Sequence, residues 1–181
     1  YSQIDIKKEN IHGLEGLPED IDTHCRQYEA IIKSVGGIDI QMLGIGSNGH
    51  IGFNEPSSSL ASRTRAKTLT KETIEANRHF FKGGEEVPRY CLTMGIGTIL
   101  EAKTILLLAF GKNKEDAVVN CVEGPVTAAV PASALQLHPH VKIILDEDAA
   151  SRLTKKEYYC WVYNNKKGIT QIRSGNKPPV L

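Results

Sequence analysis

The chain has 181 residues, 22 basic and 21 acidic, for a formal net charge of +1, so bulk electrostatics pulls it toward neither nucleic acid nor a membrane surface. Its length suits one domain with a substantial core, and its longest strongly apolar run, Thr104 to Phe110, is far short of a bilayer span. Cys25, Cys91, Cys121 and Cys160 are widely separated with no C-x-x-C pair, which suits reduced, buried thiols in a cytoplasmic protein better than a zinc site or a disulfide framework.

Pro18 followed by Ile21, Cys25, Tyr28, Ile31, Ile32 and Val35 keeps a helical period that Gly36-Gly37 stops, which predicts an amphipathic helix over about 19–35. A strand follows over Ile38 to Leu43, then a glycine-rich loop. Arg65 to Leu69 reads as a short strand, and Thr70 as the N-cap of a helix to about Phe81, ended by Lys82-Gly83-Gly84. Next come a strand near Tyr90 to Met94, a short helix around Thr98 to Ala102, and a strand over Thr104 to Phe110 that reads as buried. Helices over Lys114 to Val122 and Pro131 to Leu137, a strand over Val141 to Leu145, and a last helix over Lys155 to Asn164 complete the pattern. Strands alternating with helices predict an α/β fold, doubly wound, with a mostly parallel sheet and helices on both faces. One domain is expected over residues 1–166, with 167–181 a disordered tail.

The run Gly44-Ile45-Gly46-Ser47-Asn48-Gly49-His50-Ile51-Gly52-Phe53-Asn54-Glu55-Pro56 carries the chemistry. In an α/β sheet, ligands bind beyond the carboxyl ends of the strands, and this run leaves such an end. Closely spaced glycines let backbone N–H groups approach an anionic or polyhydroxyl ligand, which makes Gly46 and Gly49 candidate binding positions. Gly44, Gly46 and Gly49 also satisfy G-x-G-x-x-G. No helix opens at the third glycine, however, and the region about 20 residues on, where a dinucleotide site needs an acid, holds Arg63, Arg65 and Lys67. His50 is the titratable group, with Glu55 and Asn48 within reach to orient it, as a tuned acid/base requires.

The loop resembles the signature of the glucosamine-6-phosphate deaminases, and the likeness continues through Ser62 to Thr70, Ala76-Asn77, Phe80-Phe81, Leu92 to Thr98, Gly111 to Lys114, Val122-Glu123-Gly124 and Leu135 to His138. It covers about residues 4–166. That resemblance implies conversion of glucosamine 6-phosphate and water to fructose 6-phosphate and ammonia, without metal or organic cofactor. It also implies a hydrolase. By resemblance, His50 opens the sugar ring, Glu55 is the carboxylate that polarises it, and Asn48 orients the ring from a position where many members carry Asp. Lys114 matches the phosphate lysine. The second phosphate contact of the family, an arginine directly before Phe-Phe, falls on His79 here, with Arg78 one place earlier. Ser58, Arg65, Lys67 and Thr68, with Arg63, resemble the set by which some members bind N-acetylglucosamine 6-phosphate as an allosteric activator between subunits.

The first residues already resemble the middle of the family pattern, and neither the glycine-serine phosphate loop nor the proton-abstracting aspartate of the family's first part is visible. The chain therefore reads as a fragment, inactive alone, with a sheet edge and apolar surface uncovered, and homo-oligomeric when complete. Its expected partner is a small sugar phosphate, with no nucleic acid and no membrane. Two other readings stay open at this point: a non-catalytic sugar-phosphate-binding or oligomerisation module, and a 6-phosphogluconolactonase-like hydrolase.

Overall fold

A computed structural model describes residues 1, 3–16, 18–81 and 86–173. The first helix, α1 (Ile21–Ser34), starts where the Asp20 carboxylate accepts the Thr23 N–H at 3.0 Å, satisfying one of the free donors of a helix end. It stops at Gly36 and Gly37, whose φ values of +89° and +88° no β-carbon-bearing residue adopts cheaply. The strands β1 (Ile40–Gly44), β4 (Thr104–Ala109) and β5 (Val141–Leu145) form a parallel sheet in the order β1-β4-β5, with Leu43 opposite Leu107 and Leu107 opposite Ile143.

The pleat of β4 decides where the core lies. Ile105, Leu107 and Ala109 alternate onto one face and are buried. Against them pack Ile99 and Ala102, then Ala117, Val118 and Cys121, and then Ala132, Leu135 and Ala149. The first two come from α3 (Ile96–Leu100) and the residues after it, the next three from α4 (Glu115–Val122), and Ala132 and Leu135 from a 3-10 helix over Pro131–Leu137. The opposite face carries Ile40, Met42 and Ile144, which are 61%, 63% and 48% exposed. Among the described strands, β1 pairs on one side only.

Several expectations change in detail. The strands β2 (Arg65–Thr68) and β3 (Tyr90–Thr93) stay out of the parallel sheet and pair antiparallel with each other. β2 alternates half-buried and exposed, and such a strand cannot be sandwiched between two helix layers. The helix capped by Thr70, α2 (Lys71–Asn77), ends earlier than expected and tightens into a 3-10 turn at Arg78–Phe80; the expected stop at 82–84 lies outside the described residues. α3 begins two residues early, where Ser62 accepts the first free N–H groups of the helix: Ile96 N–H on its hydroxyl at 3.1 Å and Gly97 N–H on its carbonyl at 2.9 Å. Pro131–Leu137 is 3-10 rather than α, and α5 (Lys156–Arg173) runs past the expected end at Asn164 into the stretch expected to be disordered. Residues 174–181 lie outside the described residues.

Candidate active site

Beyond the end of β1 the chain closes a tight loop: the Gly46 N–H donates to the His50 carbonyl at 2.9 Å, and the Gly49 N–H to the Gly46 carbonyl at 2.9 Å. Of the two glycines expected as binding positions, Gly46 lines the cleft described below. Their N–H groups are spent inside the loop rather than aimed at a ligand. Gly46 is needed because the His50 imidazole lies on it, with Nδ1 and Cε1 only 2.3 Å from where a β-carbon would be. Gly49, at φ +83°, faces Val130, whose Cγ1 would meet a β-carbon at 2.7 Å, and it does not line the cleft described below. The far side of the loop is pinned by Asn54, fully buried, which donates to the Ile51 and Met94 carbonyls at 2.9 and 2.8 Å.

His50, Asn48 and Glu55 come together as expected. The Asn48 amide nitrogen donates to Glu55 Oε2 at 2.9 Å, so its oxygen is the acceptor facing His50 Nδ1 at 2.8 Å and the His50 N–H at 3.2 Å. This network assigns the proton of neutral His50 to Nδ1 and leaves the Nε2 lone pair as the base. Glu55 Oε2 lies 3.5 Å from Nδ1. Burial lowers the proton affinity of His50; the Glu55 charge opposes this and the Lys114 charge adds to it, and the net result lies below the ordinary imidazole value. At neutral pH, His50 is therefore a neutral base. Burial alone would push the Glu55 carboxyl up, but hydrogen bonds from Thr73, Asn48 and the Thr70 N–H, with His50 beside it, hold it below the usual carboxylate range.

A cleft of about 430 Å³ opens in front of the imidazole, lined by the Gly44–Asn48 turn, His50, Phe53, one face of α2 (Glu72, Thr73, Ala76, Asn77), and Asn113 with Lys114. Lys114 ends a 3-10 turn, Lys112–Lys114, that leads into α4. Its place is set by Gly111, at φ +88°, whose N–H is held by both Asp146 carboxylate oxygens at 2.9 and 3.1 Å, tying the end of β4 to the end of β5. Among the described residues no carboxylate lies within ion-pair distance of Lys114, whereas Lys112 pairs with Glu115. The cleft thus joins a neutral base to an uncommitted cation.

Arg78 and His79 are not brought to this cleft. The α-helix gives way to 3-10 geometry at Arg78, which turns residues 78–80 outward. Arg78 pairs with Glu75 at 2.9 Å in the open, and exposed His79 stacks on Phe80 at 3.9 Å between ring centroids. Ser58, Arg65, Lys67 and Thr68 are also not gathered into one patch. Ser58 is buried and its hydroxyl donates to the Glu55 carbonyl at 2.6 Å. The strand period puts Arg65 and Lys67 on one side of β2 and Thr68 on the other, and Arg65 donates to Asn54 Oδ1 at 3.0 Å.

Sequence reasoning missed Thr73, Asn77, Glu72 and Asn113 as walls of the cleft, although Thr70 as an N-cap already pointed to the start of α2. Cys25 and Cys121 are buried, Cys91 is half-buried and Cys160 is exposed; all four are free. Among the described residues, no cluster of three or more His, Cys, Asp or Glu is placed to hold a metal ion, and no helix is long and apolar enough to cross a membrane.

The model of the family described as glucosamine-6-phosphate isomerases/6-phosphogluconolactonase matches residues 1–144. A glucosamine-6-phosphate deaminase of Cutibacterium acnes is 53% identical over 88% of this chain and 61% of its own length, and one of Shewanella loihica is 58% identical over 88% and 59%. A solved structure described as a monomeric glucosamine-6-phosphate deaminase is 47% identical with a TM-score of 0.80, over 83% of this chain and 63% of that one. The 6-phosphogluconolactonase of Trypanosoma cruzi, 22% identical with a TM-score of 0.56 over 73% and 52%, shares the fold alone. The chain thus spans about three fifths of the length of the curated relatives it matches. The hydrolase class expected from the resemblance is overturned. The matching family is described as glucosamine-6-phosphate isomerases/6-phosphogluconolactonase and the close relatives are named deaminases.

Proposed function

Because the chain belongs to the glucosamine-6-phosphate isomerase/6-phosphogluconolactonase family, we propose that it carries the acid/base half of a glucosamine-6-phosphate deaminase, within one α/β domain over residues 1–166. The single observation that carries this reading is the pairing, in one cleft, of a neutral His50 fixed through Nδ1 with Lys114, which has no carboxylate partner among the described residues.

In this reading the 6-phosphate sits on Lys114, and the ring oxygen and anomeric hydroxyl reach His50 Nε2. His50 takes the anomeric proton and returns one to the ring oxygen, so the pyranose opens with no net change in its own protonation. The transient imidazolium is stabilised by Glu55, 3.5 Å from Nδ1, while Asn48 keeps Nδ1 as the donor side. General acid/base help of this kind is worth about 10²–10⁴-fold. No cofactor enters these steps. The proton exchange between C1 and C2 and the loss of ammonia are assigned to the whole enzyme and not to residues of this chain.

The test is a chimera in which the stretch of a complete deaminase relative that this chain matches is replaced by this chain. Ammonia release from glucosamine 6-phosphate is the expected result, lost in His50→Gln on the ring form but not on an open-chain analogue. A folded chimera that releases no ammonia, or equal losses on both substrates, overturns the reading. The proposal extends to a homo-oligomer activated by N-acetylglucosamine 6-phosphate at Arg65 and Lys67, supported by their shared face on β2; sedimentation of the chimera with and without that sugar tests it.

A further inference from the structure

Arg65 is half-buried on β2, and no carboxylate among the described residues forms an ion pair with it. One terminal nitrogen, Nη1, donates instead to Asn54 Oδ1 at 3.0 Å and to the Arg63 carbonyl at 3.2 Å. A guanidinium spent on neutral acceptors has a reason other than charge pairing, and the reason lies in Asn54, which is fully buried. The amide nitrogen of Asn54 donates to the Ile51 and Met94 carbonyls at 2.9 and 2.8 Å, which uses both of its protons. Its oxygen has Arg65 as its one donor among the described residues. A buried acceptor left unpaired carries the full desolvation cost of the group. Reversing the amide would set its oxygen against two carbonyl oxygens, so rotation of the side chain offers no relief.

Asn54 also sets the reach of the acid/base pair. Its backbone N–H donates to the Ile51 carbonyl at 3.1 Å, and the two residues form an antiparallel bridge that closes the turn 51–54. His50 directly precedes this turn and Glu55 directly follows it. The 3.5 Å between Glu55 Oε2 and His50 Nδ1, and the Asn48 bonds to both, therefore span the two ends of a turn that Asn54 holds shut. We propose that Arg65 is a positioning residue for His50: by holding the Asn54 carboxamide it keeps the turn 51–54 closed, and with it the pairing of His50 Nδ1 with Asn48 and Glu55. This rests on the reading of His50 as the acid/base. Both bonds leave one nitrogen of Arg65, so its remaining donors stay open to the activator proposed above.

The experiment is an NMR measurement on the 181-residue chain without sugar, at about pH 8, where a free imidazole is neutral. The ring nitrogen shifts of His50 report which nitrogen carries the proton, and the Asn54 side-chain NH2 reports the carboxamide. In Arg65→Met, which keeps the length and drops the donor, the ratio of Nδ1–H to Nε2–H tautomer is expected to fall about 2- to 10-fold, the worth of one ordinary hydrogen bond, and the Asn54 NH2 signals to move. Arg65→Lys is expected to restore both, because the two bonds leave a single nitrogen and an ammonium has three protons to supply. A residue serving stability alone would lower the urea midpoint and leave the tautomer of the folded chain unmoved. A folded Arg65→Met with the His50 ratio unchanged overturns the proposal, as does a changed ratio with the Asn54 signals fixed, or Arg65→Lys behaving like Arg65→Met. If Arg65→Met does not fold, Arg65→Thr, a good strand former, is judged by the same outcomes. Since no sugar is present, a chain that binds no sugar phosphate counts against the proposed function without altering this result.

Discussion

The loop wall of the cleft and the far end of α2, outside it, are unlike. On the loop side the acid/base residues are committed: His50 to Asn48, Asn48 to Glu55, and Glu55 to the Thr70 N–H, all at least half-buried. At the far end of α2, Arg78, His79 and Phe80 are exposed, and Arg78 is held only by Glu75. The base is therefore prebuilt, while the anion end offers Lys114 as the one cation lining the cleft among the described residues. What the contrast teaches is that a neutral base must be assembled by the fold, because its proton affinity depends on burial and partners, whereas a guanidinium stays charged wherever it lies.

Breaking the ordered wall should cost most. In the chimera, His50→Gln is expected to lower turnover on the ring form by about 10²–10⁴-fold, measured by ammonia release. Breaking the anion end comes next. Lys114→Ala should raise KM for glucosamine 6-phosphate and cut kcat/KM by about 10- to 150-fold, the equivalent of a charge-assisted bond worth about 1.5–3 kcal/mol, with little effect on unphosphorylated glucosamine. Gly46→Ala should displace the imidazole and destabilise the chain by about 1–3 kcal/mol, as overpacking does, read as a lower midpoint in urea.

The pH dependence sharpens the same contrast. Glu55 titrates lower in the folded chain than unfolded, so its contribution to stability is fully present above the unfolded carboxylate value and is lost as pH falls through the folded one. His50 is also lowered, but as a base it favours the neutral form on folding. Its penalty therefore begins as pH falls through about 6.5, the unfolded value, and levels off below the folded value. Glu55→Gln should move the acidic limb of the chimera's pH–rate profile to lower pH, since removing the anion further lowers His50. The smallest effect belongs to the exposed end of the contrast: Arg78→Ala should change stability by no more than about 0.5 kcal/mol, with kcat/KM unmoved. A large loss there would place Arg78 on the phosphate after all.

The contrast also marks what could be read before the structure. Local rules located α1, the Thr70 cap and β5, because each depends on neighbours in sequence: Asp20 on Thr23, Thr70 on Thr73, and an apolar run bounded by polar turns. The trio His50, Asn48 and Glu55 was legible because it lies within eight residues of one loop. Thr73 as a wall of the cleft was not, since α2 meets the loop only in the folded chain, and neither was the outward turn of Arg78, where the α-helix gives way to 3-10 geometry. The glycines were legible as necessary, but not that Gly46 makes room for the His50 ring, since only the packed geometry shows what occupies that room. The antiparallel pairing of β2 with β3 escaped because four-residue strands carry too little pattern to choose their partners.

Asp146 has a consequence for anyone wishing to tag or re-wire the chain. With both its oxygens on the Gly111 N–H and Oδ1 also accepting the Ala149 N–H at 2.8 Å, this one side chain transmits the placement of β5 to the turn that presents Lys114. An affinity tag or reporter domain spliced between 146 and 149 would thus be felt at Lys114, although the splice point lies outside the cleft lining. The exposed Val35–Gly37 turn, with its backbone already reversed by two glycines, is the better place to insert foreign sequence.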